Sequence, residues 1–289
     1  MNRLALGAAQ FGLNYGVANQ AGQVPRGEVK TILEVASGCG IDTIDTAIAY
    51  GDSEACLGEV GTHRFKLVTK LPVVPHGCAD IGAWVQQQVT ASLSRLGVDA
   101  VYGLLLHRSE QLLGPSGSTL YKGLLSLKDS GHVQKVGVSI YSPNELEVLS
   151  PKYHFDLVQA PFNLIDRRLR STGWMQRLKD GGVEIHTRST FLQGLLLMTQ
   201  ADIPTKFMPW NPLFCKWHQW LAGHEISAVQ ACLMFPLSFE EIDRVVVGVD
   251  NQSQLAQIVN AATSQCVSEP PDLQCGDEDL INPVRWGKL

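Results

Sequence analysis

Eight short runs of apolar and β-branched residues, most of them separated by longer stretches of helical period, set the limits on what this chain can fold into. Residues 3–8, 42–45, 66–70, 100–106, 135–139, 157–159, 184–187 and 244–248 read as strands. Between them, residues 28–38, 79–96, 119–130, 144–150, 227–235 and 252–260 read as helices. Asp80 and Ser118 stand where helix caps belong, and Gly97, Gly131 and Gly181 stand where helices end. Strands that alternate with helices build parallel sheets through crossover connections. Eight such units in 289 residues fit an α/β fold of the (β/α)8 TIM-barrel type, with a doubly wound sheet as the alternative. Proline-, glycine- or serine-rich linkers are absent, so residues 1–289 are expected to form a single domain. The irregular segment 189–211 and the tail 266–289 are expected to lie over the barrel mouth.

Composition narrows the function. A net charge of −5 without any basic run excludes general affinity for nucleic acid or anionic membrane. No apolar stretch approaches bilayer length, and residues 4–9 are too short for a signal-peptide core, so a cytoplasmic location is expected. Seven scattered cysteines form no Cys-x-x-Cys pair and no cluster with histidine, which implies reduced structural thiols and no metal site.

In a barrel of this type the active site forms at the C-terminal strand ends, and polar residues punctuate those ends here. Asp45 ends the second strand, Lys70 the third and Ser139 the fifth; His107 follows the fourth. Gln159 ends the sixth, with Asn163 beyond it, and Arg188 and Ser189 follow the seventh. An inward lysine must be paired, and Asp45 is the natural partner. Tyr50, five residues after Asp45, is expected near the Lys70 ammonium, whose charge would favour phenolate and lower the phenol pKa. Taken singly, such residues are usually packing, capping or salt-bridge groups. Asp, Tyr, Lys and His on successive strand ends together describe an acid site that needs no metal.

The chain resembles the aldo-keto reductase family over residues 4–260. Asp45-Thr-Ala-Ile-Ala-Tyr50-Gly is similar to its Asp-Thr-Ala-x-x-Tyr-Gly motif, Leu67-Val-Thr-Lys70 to its third strand and Leu104-Leu-Leu-His107 to its fourth. Val136-Gly-Val-Ser139, Val158-Gln159-Ala-Pro-Phe-Asn163, Ser189-Thr-Phe-Leu-Gln-Gly194 and Val245-Val-Val-Gly248 follow in the family's order. The resemblance implies reduction of an aldehyde or ketone by NAD(P)H, with Tyr50 as general acid, Lys70 and Asp45 tuning it, and His107 orienting the carbonyl. It further implies that Ser139 and Gln159 hold the carboxamide, that Asp45 touches the nicotinamide ribose, and that the backbone of Ser189, Phe191 and Gly194 cradles the pyrophosphate. Gly7 and Ala8 would approach the cofactor, Gln10 and Phe11 would wall the substrate pocket, and Gly248, Asp250, Gln254 and Gln257 would meet the adenosine end.

Three positions depart from the family. Ile140 stands where asparagine is common, and Arg188 where an aromatic ring stacks on the nicotinamide. The stretch from Gly248 to Gln254 lacks the cations that clamp a 2′-phosphate, and Asp250 there suits a free ribose unless it serves only as a helix cap. Family habit places NADP(H) ahead of NAD(H), while residue chemistry leans toward NAD(H). Phe207, Trp210, Trp217, Trp220 and Trp286 read as core before rim. The partner expected is a small carbonyl compound, bound by a monomer or small homo-oligomer. The competing readings are a nucleotide-binding regulatory or sensor barrel without turnover, and a Schiff-base lyase using Lys70 as nucleophile, which a charged Lys70 disfavours.

Overall fold

A computed structural model describes residues 3–264 and 270–288, and in it the eight expected strands form and close on themselves. They are β1 (Leu4–Gly7), β2 (Thr43–Asp45), β3 (Lys66–Leu71), β4 (Val101–Leu106), β5 (Val133–Ser139), β6 (Leu157–Pro161), β7 (Glu184–Arg188) and β8 (Arg244–Gly248). Each pairs in parallel with the next, and β8 returns to β1 with Gly7 opposite Gly248. The architecture is a (β/α)8 barrel, so the doubly wound alternative falls away.

Side chains alternate between the two faces of a strand, so the barrel interior is built in layers two residues apart. Val68, Leu105 and Leu157 form an interior apolar layer. Two residues further along each strand stand Lys70, His107 and Gln159, and the polar ring at the mouth is thereby placed on top of a sealed floor. Below that floor, Glu184 binds His186, Tyr102 and Lys135, a polar plug at the opposite end of the barrel.

A continuous hydrophobic cluster joins the outer strand faces to the surrounding helices. The helix Ile81–Leu96 buries Val85, Val89, Leu93 and Leu96 on one stripe. Asp80 starts it by accepting from the Ala83 N–H at 2.9 Å, and Gly97, left-handed at φ 66°, ends it; such caps are each worth about 1 kcal/mol. Ser118 caps nothing: it lies inside the helix Gly117–Asp129, which Ser116 precedes without a side-chain bond. Helices beyond the expected set are Ser53–Val60, Arg168–Ser171, Trp174–Asp180, Asn211–His224 and Glu278–Ile281. The segment expected to be irregular consists of short 3-10 turns up to Trp210. Phe207, Trp217 and Trp286 are buried, with Phe207 edge-on to Trp286 and Trp217 stacked on Trp220. No described helix is long and apolar enough to cross a membrane. Cys56 and Cys232 are buried free thiols, while Cys266 lies outside the described residues.

The helix Ser53–Val60 escapes a propensity reading because of Gly58, and packing explains that glycine. A Cβ at Gly58 would sit 2.0 Å from the Arg95 carbonyl oxygen, so the helix approaches its neighbour backbone to backbone. Alanine in place of an interior helical glycine ordinarily stabilises by about 0.5–1 kcal/mol. Gly58→Ala reverses that sign and destabilises by about 1–3 kcal/mol through overpacking, read from urea unfolding. Gly38→Ala, where a Cβ meets nothing within 4 Å, is the control and does not destabilise.

Candidate active site

Lys70 is among the largest fully buried side chains in the molecule, and its surroundings explain how a cation survives there. Its Nζ donates to Asp45 Oδ2 at 2.6 Å and to the Thr46 carbonyl at 2.9 Å. Burial pulls the Lys70 ammonium below its ordinary value, and Asp45 pulls it back up. The other Asp45 oxygen accepts from Gln159 Nε2 at 2.7 Å, and Gln159 Oε1 accepts from Ser139 at 3.4 Å. Residues from β2, β3, β5 and β6 are thus joined into one hydrogen-bonded chain beneath the mouth.

Tyr50 and His107 stand above this chain. Their rings meet edge to face at 5.7 Å, and Lys70 Nζ lies 5.1 Å from the Tyr50 ring centroid. Both residues line a cavity of about 890 Å³ at the C-terminal strand ends. Burial, together with the Asp45 carboxylate, raises the Tyr50 phenol well above its ordinary pKa. The expectation that Lys70 would lower it is therefore corrected: the lysine charge is already engaged by Asp45 and Thr46, and desolvation of the phenolate outweighs it. Burial and the Lys70 charge lower His107 from its ordinary 6.5 to about 4, so the imidazole is neutral.

The cavity extends from these groups toward Asp250, Gln254 and Gln257, past Gly7, Ala8, Gln10, Ser189, Phe191, Gly194 and Gly248. Its volume and mixed polar and apolar lining are those of a cofactor-sized site. In the loop after β7, Ser189, Leu192, Gln193 and Gly194 all have positive φ. This turn leaves the N–H groups of Thr190, Phe191 and Gln193 without a hydrogen bond among the described residues, donors of the kind that bind phosphate. The Gly194 N–H, expected in the cradle, is taken by the Phe191 carbonyl at 3.0 Å. Asn163 braces the loop: its Nδ2 donates to the Ser189 carbonyl, and its Oδ1 accepts from the N–H groups of Ile165 and Asp166, each at 2.9 Å.

At the far end Asn251, rather than Asp250, caps the following helix, accepting from the Gln254 N–H at 2.9 Å. Asp250 instead faces the cavity, holding Asn19 Nδ2 at 3.3 Å, and burial raises its pKa. Among the described residues no group of three or more His, Cys, Asp or Glu side chains is placed to hold a metal ion.

Phe11 departs from expectation. It is fully buried in the core and does not line the cavity, because the 3-10 turn Ala9–Phe11 points Gln10 to the mouth and Phe11 inward. Lys70 also stays behind the wall, in contact with Asp45, which lines the cavity. The sequence reading missed Tyr15, Arg108, Tyr141, Gln193 and Val284, all lining residues. Arg108 and Tyr141 carried a usable signal, since each lies within two residues of a strand-end group already singled out. Arg188, expected at the nicotinamide, does line the cavity; it donates to the Ile140 carbonyl at 2.9 Å and stacks on Tyr141.

Comparison with known proteins places these features in a context. A family model described as "Aldo/keto reductase family" matches residues 3–269. The NADH-specific methylglyoxal reductase of Escherichia coli is 26% identical over 198 residues, which cover 59% of this chain and 58% of that protein. Aldo-keto reductase str7 of Strobilurus tenacellus is 28% identical over 186 residues, covering 62% of this chain and 54% of its own. The chain thus spans little more than half the length of these relatives. Among solved structures, an aldo-keto reductase from Bacillus halodurans in its holo form superposes with a TM-score of 0.72 at 18% identity, covering 92% of this chain and 88% of that one. The glycerol dehydrogenase of Gluconobacter oxydans superposes with a TM-score of 0.70 at 20% identity, covering 93% and 88%.

The lowered His107 has a measurable consequence. The unfolded chain takes up a proton near pH 6.5, whereas the folded chain refuses it until about 4. The folded state accordingly loses stability as pH falls through that window. Melting temperature measured against pH shows this slope, and His107→Gln flattens it.

Proposed function

The chain belongs to the aldo/keto reductase family, and on that premise we propose that it reduces a small aldehyde or ketone to the alcohol with NADH, in one barrel domain. The observation that carries this reading is the buried Lys70–Asp45 pair beneath a protonated Tyr50 whose ring meets a neutral His107. Bound along the cavity, reduced nicotinamide supplies the hydride for the carbonyl carbon.

The chain's own residues handle the oxygen. Neutral His107 donates an N–H to the carbonyl oxygen and orients it without competing for its charge. Tyr50, held protonated by burial, gives its proton to that oxygen as negative charge develops there. The phenolate left behind gains most from the Lys70 ammonium, which Asp45 and the Thr46 carbonyl fix in place. Lys70 is thus a positioning and electrostatic residue rather than the acid. Ser139 and Gln159 are the carboxamide partners, Thr190, Phe191 and Gln193 present backbone donors to the pyrophosphate, and Asn163 holds their loop. Gln254 and Gln257 line the adenosine end.

Asp250 argues for NADH over NADPH, reversing the order that family habit suggested. Among the described residues, the only lysine or arginine side chains lining the cavity are Arg108 and Arg188, both at its reacting end. A 2′-phosphate near Asp250 would meet a carboxylate and no cation. The E. coli relative, named for its NADH specificity, is in keeping with this reading.

Tyr50→Phe abolishes reduction of an activated aldehyde while leaving NADH binding within about twofold, since a phenol proton is lost and little volume changes; stopped-flow absorbance and fluorescence titration read the two effects. Full activity in that variant would remove Tyr50 as the acid. Wild type binds NADH at least about tenfold tighter than NADPH, and Asp250→Asn narrows the gap by relieving like-charge repulsion, both read by nucleotide fluorescence titration.

A further inference from the structure

Three arginines converge on Tyr141. Arg168 donates to the Tyr141 carbonyl and is neutralised by Asp166 and Glu278. Arg108 and Arg188 instead stack on the Tyr141 ring, with Cζ 4.9 and 4.6 Å from its centroid, and both line the cavity. Neither forms a salt bridge with any described carboxylate. Arg188 has two of its donors used, by Ser189 Oγ and the Ile140 carbonyl. Arg108 is half-buried, and its guanidinium makes no hydrogen bond among the described residues.

A cation–π contact holds a guanidinium in place without neutralising it. The arrangement therefore keeps two positive charges facing one space. Arg108 directly follows His107, so that space adjoins the position of the carbonyl. It is also remote from the adenosine end, because β4 and β8 stand on opposite sides of the closed barrel. The two carboxylates lining the cavity are committed elsewhere, Asp45 to Lys70 and Gln159, and Asp250 to Asn19. Both arginine charges are felt at His107, where they oppose its protonation.

We propose that Arg108 and Arg188, splayed against Tyr141, form an anion-binding subsite, and that the physiological substrate is a carbonyl compound carrying an oxyanion such as a carboxylate or phosphate. This rests on the reductase reading above and specifies its substrate class. Arginine suits the task because its planar fork pairs with two oxygens at once. Arg108 supplies the free donors, and Arg188 contributes charge at the cofactor side of the same space.

The test compares 4-carboxybenzaldehyde, a carboxylate at neutral pH, with 4-formylbenzamide, its uncharged isostere, which has nearly the same shape and a slightly more electrophilic carbonyl, so that any advantage of the carboxylate reports its charge. In wild type at low ionic strength the carboxylated aldehyde has the higher kcat/KM by at least about tenfold, and the advantage shrinks with added salt. Arg108→Gln removes most of that advantage through KM rather than kcat, and Arg108→Lys restores part of it. Glyceraldehyde 3-phosphate against glyceraldehyde reports a phosphate in the same way, so the pair showing the larger ratio identifies the anion. Equal kcat/KM within both wild-type pairs, or equal losses for charged and neutral aldehydes in Arg108→Gln, would overturn the proposal.

If no aldehyde is reduced, the reductase reading fails and the subsite is judged by binding alone. Terephthalate then quenches intrinsic fluorescence of the NADH complex, with affinity at least about tenfold weaker in Arg108→Gln. Unchanged affinity would overturn the subsite as well.

Discussion

The contact between Lys70 and Asp45 is the constraint on which the rest of the site depends. An ammonium in a dry barrel is costly, and a carboxylate beside it repays the cost only when the remaining polar groups are also satisfied. Thr46 and Gln159 satisfy them, and Ser139 extends the chain to the next strand. This arrangement fixes the lysine charge beside Asp45, while burial leaves Tyr50 protonated on the cavity wall. A phenol that keeps its proton and an imidazole too poorly solvated to take one follow from the same burial. Environment, not residue type alone, thus sets the protonation state of both groups.

Most of the barrel was legible from short apolar runs alternating with segments of helical period, because parallel strands buried on both faces are mostly apolar and polar residues punctuate their ends. Asp45, Lys70, His107, Ser139 and Gln159 stood out for that reason, and all five meet at one end. What sequence could not show is whom each polar group pairs with. Asp250 resembled a helix cap until Asn251 took that place, and Tyr50 looked like a phenol under positive charge until that charge proved to be engaged. Phe11 was misplaced because a three-residue turn decides which of two neighbours faces inward. The helix Ser53–Val60 was hidden by close packing at Gly58, where a poor helix former is the residue that fits.

The two ends of the cavity make different demands. At one end a single carboxylate, Asp250, sits among amides; at the other, two guanidinium groups lean on the Tyr141 ring. A dinucleotide lying between them would place its own negative charges near the loop that Asn163 braces, where backbone N–H groups are free. The field along the cavity is therefore graded, and a ligand with charge at one end has one favoured orientation.

The seam between β1 and β8 brings Gly7 against Gly248, and both line the cavity. During synthesis β1 leaves the ribosome first and waits, with an unsatisfied edge, for residues 244–248. Every earlier strand can find its neighbour locally, but this wall of the cavity cannot exist until this most distant pairing forms. The chain thus acquires its binding site in the same step that hides its last exposed strand edge, and a nascent chain stalled before β8 presents both an aggregation-prone edge and no ligand to protect it.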